Sequence, residues 1–235
     1  MAKKNAAYDN QSITALKGAD RVRKRPAVIF GSDGLEGCQH SVFEILSNSV
    51  DEARQGHGNT IEIRVFSDHS IEISDSGRGV PLGWNEKEKR YNWELIYCEL
   101  YAGGKYENNA EGASYEYSLG LNGLGACATQ YSSEYMEVIS FDGENRSEVS
   151  FKKGCPIGAD GKIITLDAAT TKSQTDTVLR VTPLLKRERR TGTIQRWKPD
   201  LEVFTAINIP LEFYISTLKK QAVVNAGTTF KLFWQ

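Results

Sequence analysis

The chain has 235 residues, 40% of them hydrophobic, enough to bury a sizeable core and too apolar for a disordered tail. Its 29 basic and 30 acidic residues leave a net charge of -1, so the molecule as a whole does not attract a polyanion, and direct binding of nucleic acid by this segment is not expected. No run approaches the roughly eighteen apolar residues of a membrane span, and the polar start Met1-Ala2-Lys3-Lys4-Asn5 has no apolar stretch behind it, which predicts a cytoplasmic protein with no membrane partner.

A polar arm opens the chain and runs into Val22-Arg23-Lys24-Arg25-Pro26, a basic run that by itself reads as a solvated face. Over residues 37–53, Phe43, Leu46, Val50 and Ala53 recur on one side of a helix, with Glu44, Asn48, Asp51 and Glu52 on the other. Residues 60–66 and 70–74 alternate apolar and polar side chains across the short Ser67-Asp68-His69 connection, the pattern of a hairpin. A helix is predicted over 93–100. The polar, glycine-rich stretch 102–122 that follows is too long for an ordinary connection and reads as a lid or binding loop. Residues 126–130 look helical, and 134–141, 148–152, 177–181 and 193–197 look like strands. Proline opens a helix over 210–225, and a last strand spans 228–234. Helices and strands mix without a regular βαβ repeat, which predicts an α+β layered domain. The cysteines at 38, 98, 127 and 155 form no C-x-x-C pair, and His40, His57 and His69 have no metal-ligand spacing. Both sets read as packing or surface residues, the thiols reduced.

The usual nucleotide signatures are absent: Gly103-Gly104-Lys105 is followed by Tyr106 and lacks the upstream glycine of a P-loop, and no G-x-G-x-x-G follows a strand. Three weaker features remain. Glu44 and Asn48, one helical turn apart, offer a carboxylate that can activate a water and an amide oxygen suited to magnesium beside phosphates, although such a face is more often merely wet. Asp75-Ser76-Gly77-Arg78-Gly79-Val80-Pro81 ends the hairpin. An aspartate there can accept a hydrogen bond from an exocyclic amine such as adenine's, while glycines let a planar base approach the backbone; alone, it is more often just a turn. Gly120-Leu121-Asn122-Gly123-Leu124-Gly125 precedes a helix and can present successive N–H groups to an anion, to which Lys105 can add a positive charge.

In this order and spacing the three features resemble the GHKL ATPases: gyrase-type topoisomerases, ninety-kilodalton chaperones, histidine kinases and mismatch-repair ATPases. Tyr8-Asp9, Leu16-Lys17-Gly18, Val22 to Pro26, Phe43-Glu44, Asp51-Glu52-Ala53, Ala102-Gly103-Gly104-Lys105 and Thr191-Gly192-Thr193 resemble the type II topoisomerase branch, with likeness running from about residue 8 to 234. The resemblance implies a two-layer α/β sandwich of the Bergerat type, with a mixed, mostly antiparallel sheet and helices on one face. It implies a dimerisation arm over 1–20 and an ATP-binding domain over 21–235, the family's transducer domain falling outside this chain.

It further implies ATP and magnesium as cofactors, with Glu44 as general base, Asn48 as magnesium ligand, and Asp75 receiving the adenine amine directly and through a water shared with Thr193. Gly77, Gly79, Val80 and Ile96 would line the base, Tyr117 would lie beside the nucleoside, and Lys105 with Gly120, Leu121, Asn122, Gly123, Leu124 and Gly125 would hold the phosphates. Glu52, Arg78 and Pro81 would border an inhibitor pocket. Tyr8 would reach the nucleotide of a second copy of the chain when the dimer closes. The other implied partners are DNA and the A-type subunit, both through the full enzyme. The chain departs from the family at several places: Asn122 stands where histidine is usual, Glu148 at a pocket-edge position usually held by arginine, Ala27-Val28-Ile29-Phe30 replaces a glycine-containing run, and the segment between Gly154 and Gly192 is longer than usual. A different GHKL machine, or a nucleotide-binding module without turnover, remains an alternative.

Overall fold

In a computed structural model that describes residues 15–102 and 123–235, two short helices, α1 (Asp20–Arg23) and α2 (Pro26–Phe30), precede the long helix α3 (Leu35–Arg54). Proline fits at the start of α2 because its missing N–H lacks an intrahelical partner there anyway. Strands β1 (Thr60–Val65) and β2 (Ile71–Asp75) form the expected hairpin, with Ile63 opposite Ile73. A small ribbon, β3 (Trp84–Asn85) and β4 (Arg90–Tyr91), leads into α4 (Asn92–Cys98). After the undescribed stretch come α5 (Gly125–Tyr131), β5 (Ser133–Asp142), β6 (Asn145–Lys152), β7 (Cys155–Pro156), α6 (Lys172–Thr175), β8 (Arg180–Pro183), β9 (Thr191–Pro199), α7 (Leu211–Val224) and β10 (Thr229–Trp234).

The main sheet runs β10-β1-β2-β9-β5-β6-β7, with β8 also paired to β6. Among the described residues only the β1–β10 pairing of this sheet is parallel; the rest are antiparallel. One face of the sheet presents Ile61, Ile63, Ile71, Ile73, Met136, Val138, Phe151 and Trp197, all buried, to Val42, Ile45, Leu46 and Val50 of α3 and their neighbours. Each such side chain contributes about 1.5–3 kcal/mol, so this layer contact drives folding. The opposite face carries an ion lattice in which Arg64 meets Glu62 at 2.7 Å and Glu72 at 3.4 Å, and Lys231 meets Glu62 at 2.9 Å. Such surface pairs add little stability, but they mark the face that helices leave to water. The architecture is thus the α+β sandwich with a mixed, mostly antiparallel sheet that the sequence predicts. No helix among the described residues is long and apolar enough to cross a membrane.

Several expectations need correction. Asp51, assigned to the polar side of α3, is buried, and Phe43 and Ala53 are only half-buried. Helix α3 is covered on two sides, by the sheet and by α5, whose Thr129 hydroxyl donates to the Ser41 carbonyl at 3.3 Å, so its buried arc is wider than an amphipathic stripe. The basic run does not simply face water: Arg23 reaches Asp200 at 2.6 Å. The strand expected over 177–181 lies at Arg180–Pro183, because Thr171 and Gln174 cap a helical turn, α6, whose end holds the Thr177 hydroxyl on the Gln174 carbonyl at 2.8 Å. All four cysteines are unpaired, and burial pushes the Cys38 thiol up to about 12, in keeping with packing rather than reactivity.

Candidate functional site

Helix α3 sets Glu44, Asn48 and Glu52 at four-residue intervals, so they form one stripe, half-buried along its length. The stripe faces the carboxyl end of β2 and the start of α5. Ser49, next to Asn48 but turned toward the sheet, donates its hydroxyl to Asp75 Oδ2 at 2.8 Å and so ties the helix to the strand end.

Asp75 is held from three elements. Besides Ser49, its Oδ1 accepts the Gly77 N–H at 2.9 Å and the Thr193 N–H, from β9, at 3.2 Å. Burial raises its carboxyl above the usual aspartate range, and the bonds from Gly77, Ser49 and Thr193 oppose that rise without cancelling it. The Thr193 hydroxyl in turn accepts the Val80 N–H at 3.1 Å, fixing the turn that carries Gly77, Arg78 and Gly79. At either glycine that turn has no room for a side chain. A Cβ at Gly77 would lie 3.0 Å from both Asp75 Oδ1 and the Glu52 Cβ, and one at Gly79, whose φ is +88°, would lie 2.4 Å from the Phe141 carbonyl oxygen. At the rim Arg78 grips Glu52 in a fork, with Nε to Oε2 at 3.0 Å and Nη2 to Oε1 at 2.8 Å, and its own N–H adds a bond at 3.1 Å. Burial works to raise the Glu52 carboxyl, but these bonds from Arg78 outweigh it and hold the group below its usual range.

The third motif arrives from the far side. A Cβ at Gly125 would stand 2.1 Å from Glu44 Oε2, so the first residue of α5 packs directly on the Glu44 carboxylate. The other oxygen of that carboxylate is 3.0 Å from His40 Nε2, and His40 Nδ1 lies 3.2 Å from the Phe30 carbonyl oxygen. That carbonyl can accept only from a protonated Nδ1, which leaves Nε2 of a neutral ring as an acceptor and of a charged ring as a donor to Glu44.

Glu44, Asn48, Glu52, Asp75, Gly77, Arg78, Gly79, Val80, Thr193, Gly123, Leu124 and Gly125 therefore belong to elements that meet in one region. Ile96 stands on a separate element, α4, half-buried against the core, and Pro81 is exposed beyond Val80. Tyr8, Lys105, Tyr117, Gly120, Leu121 and Asn122 lie outside the described residues. Glu148 is not at the pocket edge. It pairs with Ile139, which pairs with Ile194, so it occupies the sheet face opposite Thr193 and Asp75; Ser147 is the β6 residue in register with Ser140 and Thr193. Sequence reasoning missed His40 and Ser49. The i, i+4 spacing of His40 to Glu44 was a usable signal, whereas the role of Ser49 depends on which way α3 rolls against the sheet.

No protein-family model matches the chain. It is 34% identical over 234 residues to the B subunit of DNA gyrase from Halalkalibacterium halodurans, covering 99% of this chain and 32% of that protein. Similarity of the same degree, 34% over 234 residues, extends to the B subunit of DNA topoisomerase 4 from Enterococcus faecalis, of which 30% is covered. Identity reaches 42% over 138 residues with the B subunit of DNA gyrase from Clostridium acetobutylicum. The chain belongs to the family of DNA gyrase and topoisomerase 4 B subunits. It spans about a third of the length of the curated relatives it matches over 99% of its own length. Family membership accounts for the joint occurrence of the three motifs, each of which alone was an ordinary polar face, turn or glycine loop.

Proposed function

We propose that this chain binds ATP with magnesium and, as part of the B subunit of a type II DNA topoisomerase, hydrolyses it to drive closure of a dimer gate around DNA. The observation that carries the reading is the convergence of Asp75, the Glu44–Asn48–Glu52 stripe and Gly125 at one place. A half-buried carboxylate backed by Ser49, Gly77 and Thr193 suits recognition of an exocyclic amine, and the glycines at 77 and 79 leave the backbone open to a planar base.

The residues fit the magnesium nucleotide. The place a Cβ would fill at Gly125 lies against Glu44, so a phosphate held at the start of α5 would lie beside that carboxylate. Asn48, one turn further along α3, offers a neutral oxygen to the metal, which when bound neutralises phosphate charge. Glu44, whose Oε1 lies 3.0 Å from His40 Nε2, is the group available to take a proton from the attacking water. Supercoiling or decatenation, dimer closure through the arm, and engagement of an A-type partner and of DNA are properties of the full enzyme and are inferred from the family.

Glu44→Ala tests the assignment. Titration with a non-hydrolysable ATP analogue, with and without magnesium, should give affinity close to that of the unaltered chain. Turnover in the full enzyme should fall by roughly 100-fold or more, the scale on which a general base contributes. Unchanged turnover removes Glu44 from the chemistry, and an analogue that does not bind removes the reading itself.

A further inference from the structure

Between β8 and β9 lies a strap, residues 184–190, reading Leu-Leu-Lys-Arg-Glu-Arg-Arg: four cations and one carboxylate in a chain whose net charge is -1. The strap is anchored. Leu184 N–H donates to the Glu144 carbonyl at 2.7 Å, and residues 186–188 form a 3-10 turn. Its single carboxylate, Glu188, is turned back onto the Leu185 N–H at 3.3 Å. At the other end the Arg190 guanidinium lies over the Phe141 ring, 3.8 Å from its centroid, which fixes its orientation before any partner arrives.

The surrounding acids are mostly committed. Glu148 is paired with Arg146, and with Arg180 at 3.5 Å, while Asp142 accepts the N–H groups of Glu144 and Asn145 at 2.8 and 2.6 Å. Lys186, Arg187 and Arg189 are exposed, and among the described residues no carboxylate lies within ion-pair distance of them. A net charge near zero thus conceals a local surplus of positive charge, which is what a polyanion responds to within a screening length of about 8–10 Å.

We propose that the strap 186–190 is a docking surface for the phosphate backbone of duplex DNA. The inference rests on the reading of the chain as part of a DNA-acting enzyme, and it names a DNA contact within this segment. Its four cations span roughly 10 Å, the axial rise of about three phosphates on one strand, and arginine's planar fork matches a phosphate's oxygens. Leu185 and Val181 beside them are exposed, and the charge of the strap lies in one short exposed stretch, so electrostatic contact with a regularly charged backbone is the recognition this surface supports.

The test is anisotropy of a labelled duplex of about 20 base pairs with the full chain across a salt series, alongside binding of an ATP analogue to the same samples. Replacing Lys186, Arg187 and Arg189 together by alanine should weaken duplex binding at least tenfold at low salt and reduce the log–log salt slope by about 2 to 3, while Arg187→Lys with Arg189→Lys retains most of the affinity. Analogue binding should be unchanged in every variant, which shows that the fold is intact and keeps failure here distinct from failure of the nucleotide reading. Duplex binding that is undetectable in the unaltered chain, or insensitive to the alanine changes, overturns the proposal. So does tighter binding of polyglutamate than of the duplex, which would assign the strap to an acidic protein.

Discussion

At the scale of single residues, Asp75 shows how a fold can hold a carboxylate in place at some cost to itself. Its two oxygens accept one hydroxyl and two backbone N–H groups, yet burial still leaves its proton more tightly held than in the unfolded chain. A group shifted upward in this way contributes stability that is complete below the ordinary aspartate value, near pH 4, and is lost as pH rises through the raised value. Asp75→Asn preserves shape. Its Oδ1 keeps the bonds from Gly77 and Thr193, and its Nδ2 can donate to the Ser49 hydroxyl, which turns to accept. The variant should therefore fold, and its urea midpoint relative to the unaltered chain should rise with pH across that window. A midpoint difference that stays constant from pH 4 upward would show that Asp75 titrates normally. Analogue affinity should fall in the same variant, because the amide nitrogen meets a donor where the carboxylate offered an acceptor.

At the scale of elements, the contact with the largest leverage is one that composition concealed. From α1, Arg23 reaches Asp200 at the end of β9 and the carbonyl oxygens of Tyr131 and Ser133 at 3.1 and 3.4 Å, joining four segments through one guanidinium. The two charged side chains are only 13% and 7% exposed. Removing one partner strands the other, so Arg23→Met should cost about 3 kcal/mol or more in denaturant unfolding, and adding Asp200→Asn should recover part of it. Burial acts to raise the Asp200 carboxyl, but Arg23 and the Glu202 N–H outweigh it and hold the group low. Its contribution is therefore present above the ordinary carboxylate value and lost as pH falls through the lowered one, the reverse of Asp75. Equal acid sensitivity in the unaltered chain and Asp200→Asn would refute that assignment. Periodicity could not supply such a contact, since Arg23 and Asp200 are 177 positions apart. What the sequence made legible was local: the α3 helix, the β1–β2 hairpin and the proline that opens α7 follow from spacing alone. The α6 turn and the displaced β8 were hidden because a short capped helix and an exposed strand have no core-facing pattern to announce them. In the site, the glycines and acids could be named in advance, whereas the sheet face of Glu148 depended on a register that one residue's slip would invert.

At the scale of the whole molecule, the candidate site and the core are the same structure. Ser49 and Glu52 come from α3, Asp75 from β2, Thr193 from β9 and Gly125 from α5, and all four elements pack into one continuous hydrophobic cluster that includes Trp93 and Trp197, both fully buried. A ligand that bridges these elements must then be released before any of them can leave the core, so binding should stabilise the fold as a unit rather than a local patch. At an analogue concentration about 100 times its Kd, mass action adds about 2.7 kcal/mol, which for a chain of this size raises the unfolding temperature by roughly 5–10 °C. Far-ultraviolet circular dichroism follows the sheet and helices, and tryptophan fluorescence is weighted toward the buried pair; with analogue and magnesium both should move together and by the same amount. Two separated transitions, or a shift in fluorescence without one in dichroism, would mean that the strand ends around Asp75 melt independently of the sheet. That result would undo the coupling of the candidate site to the core.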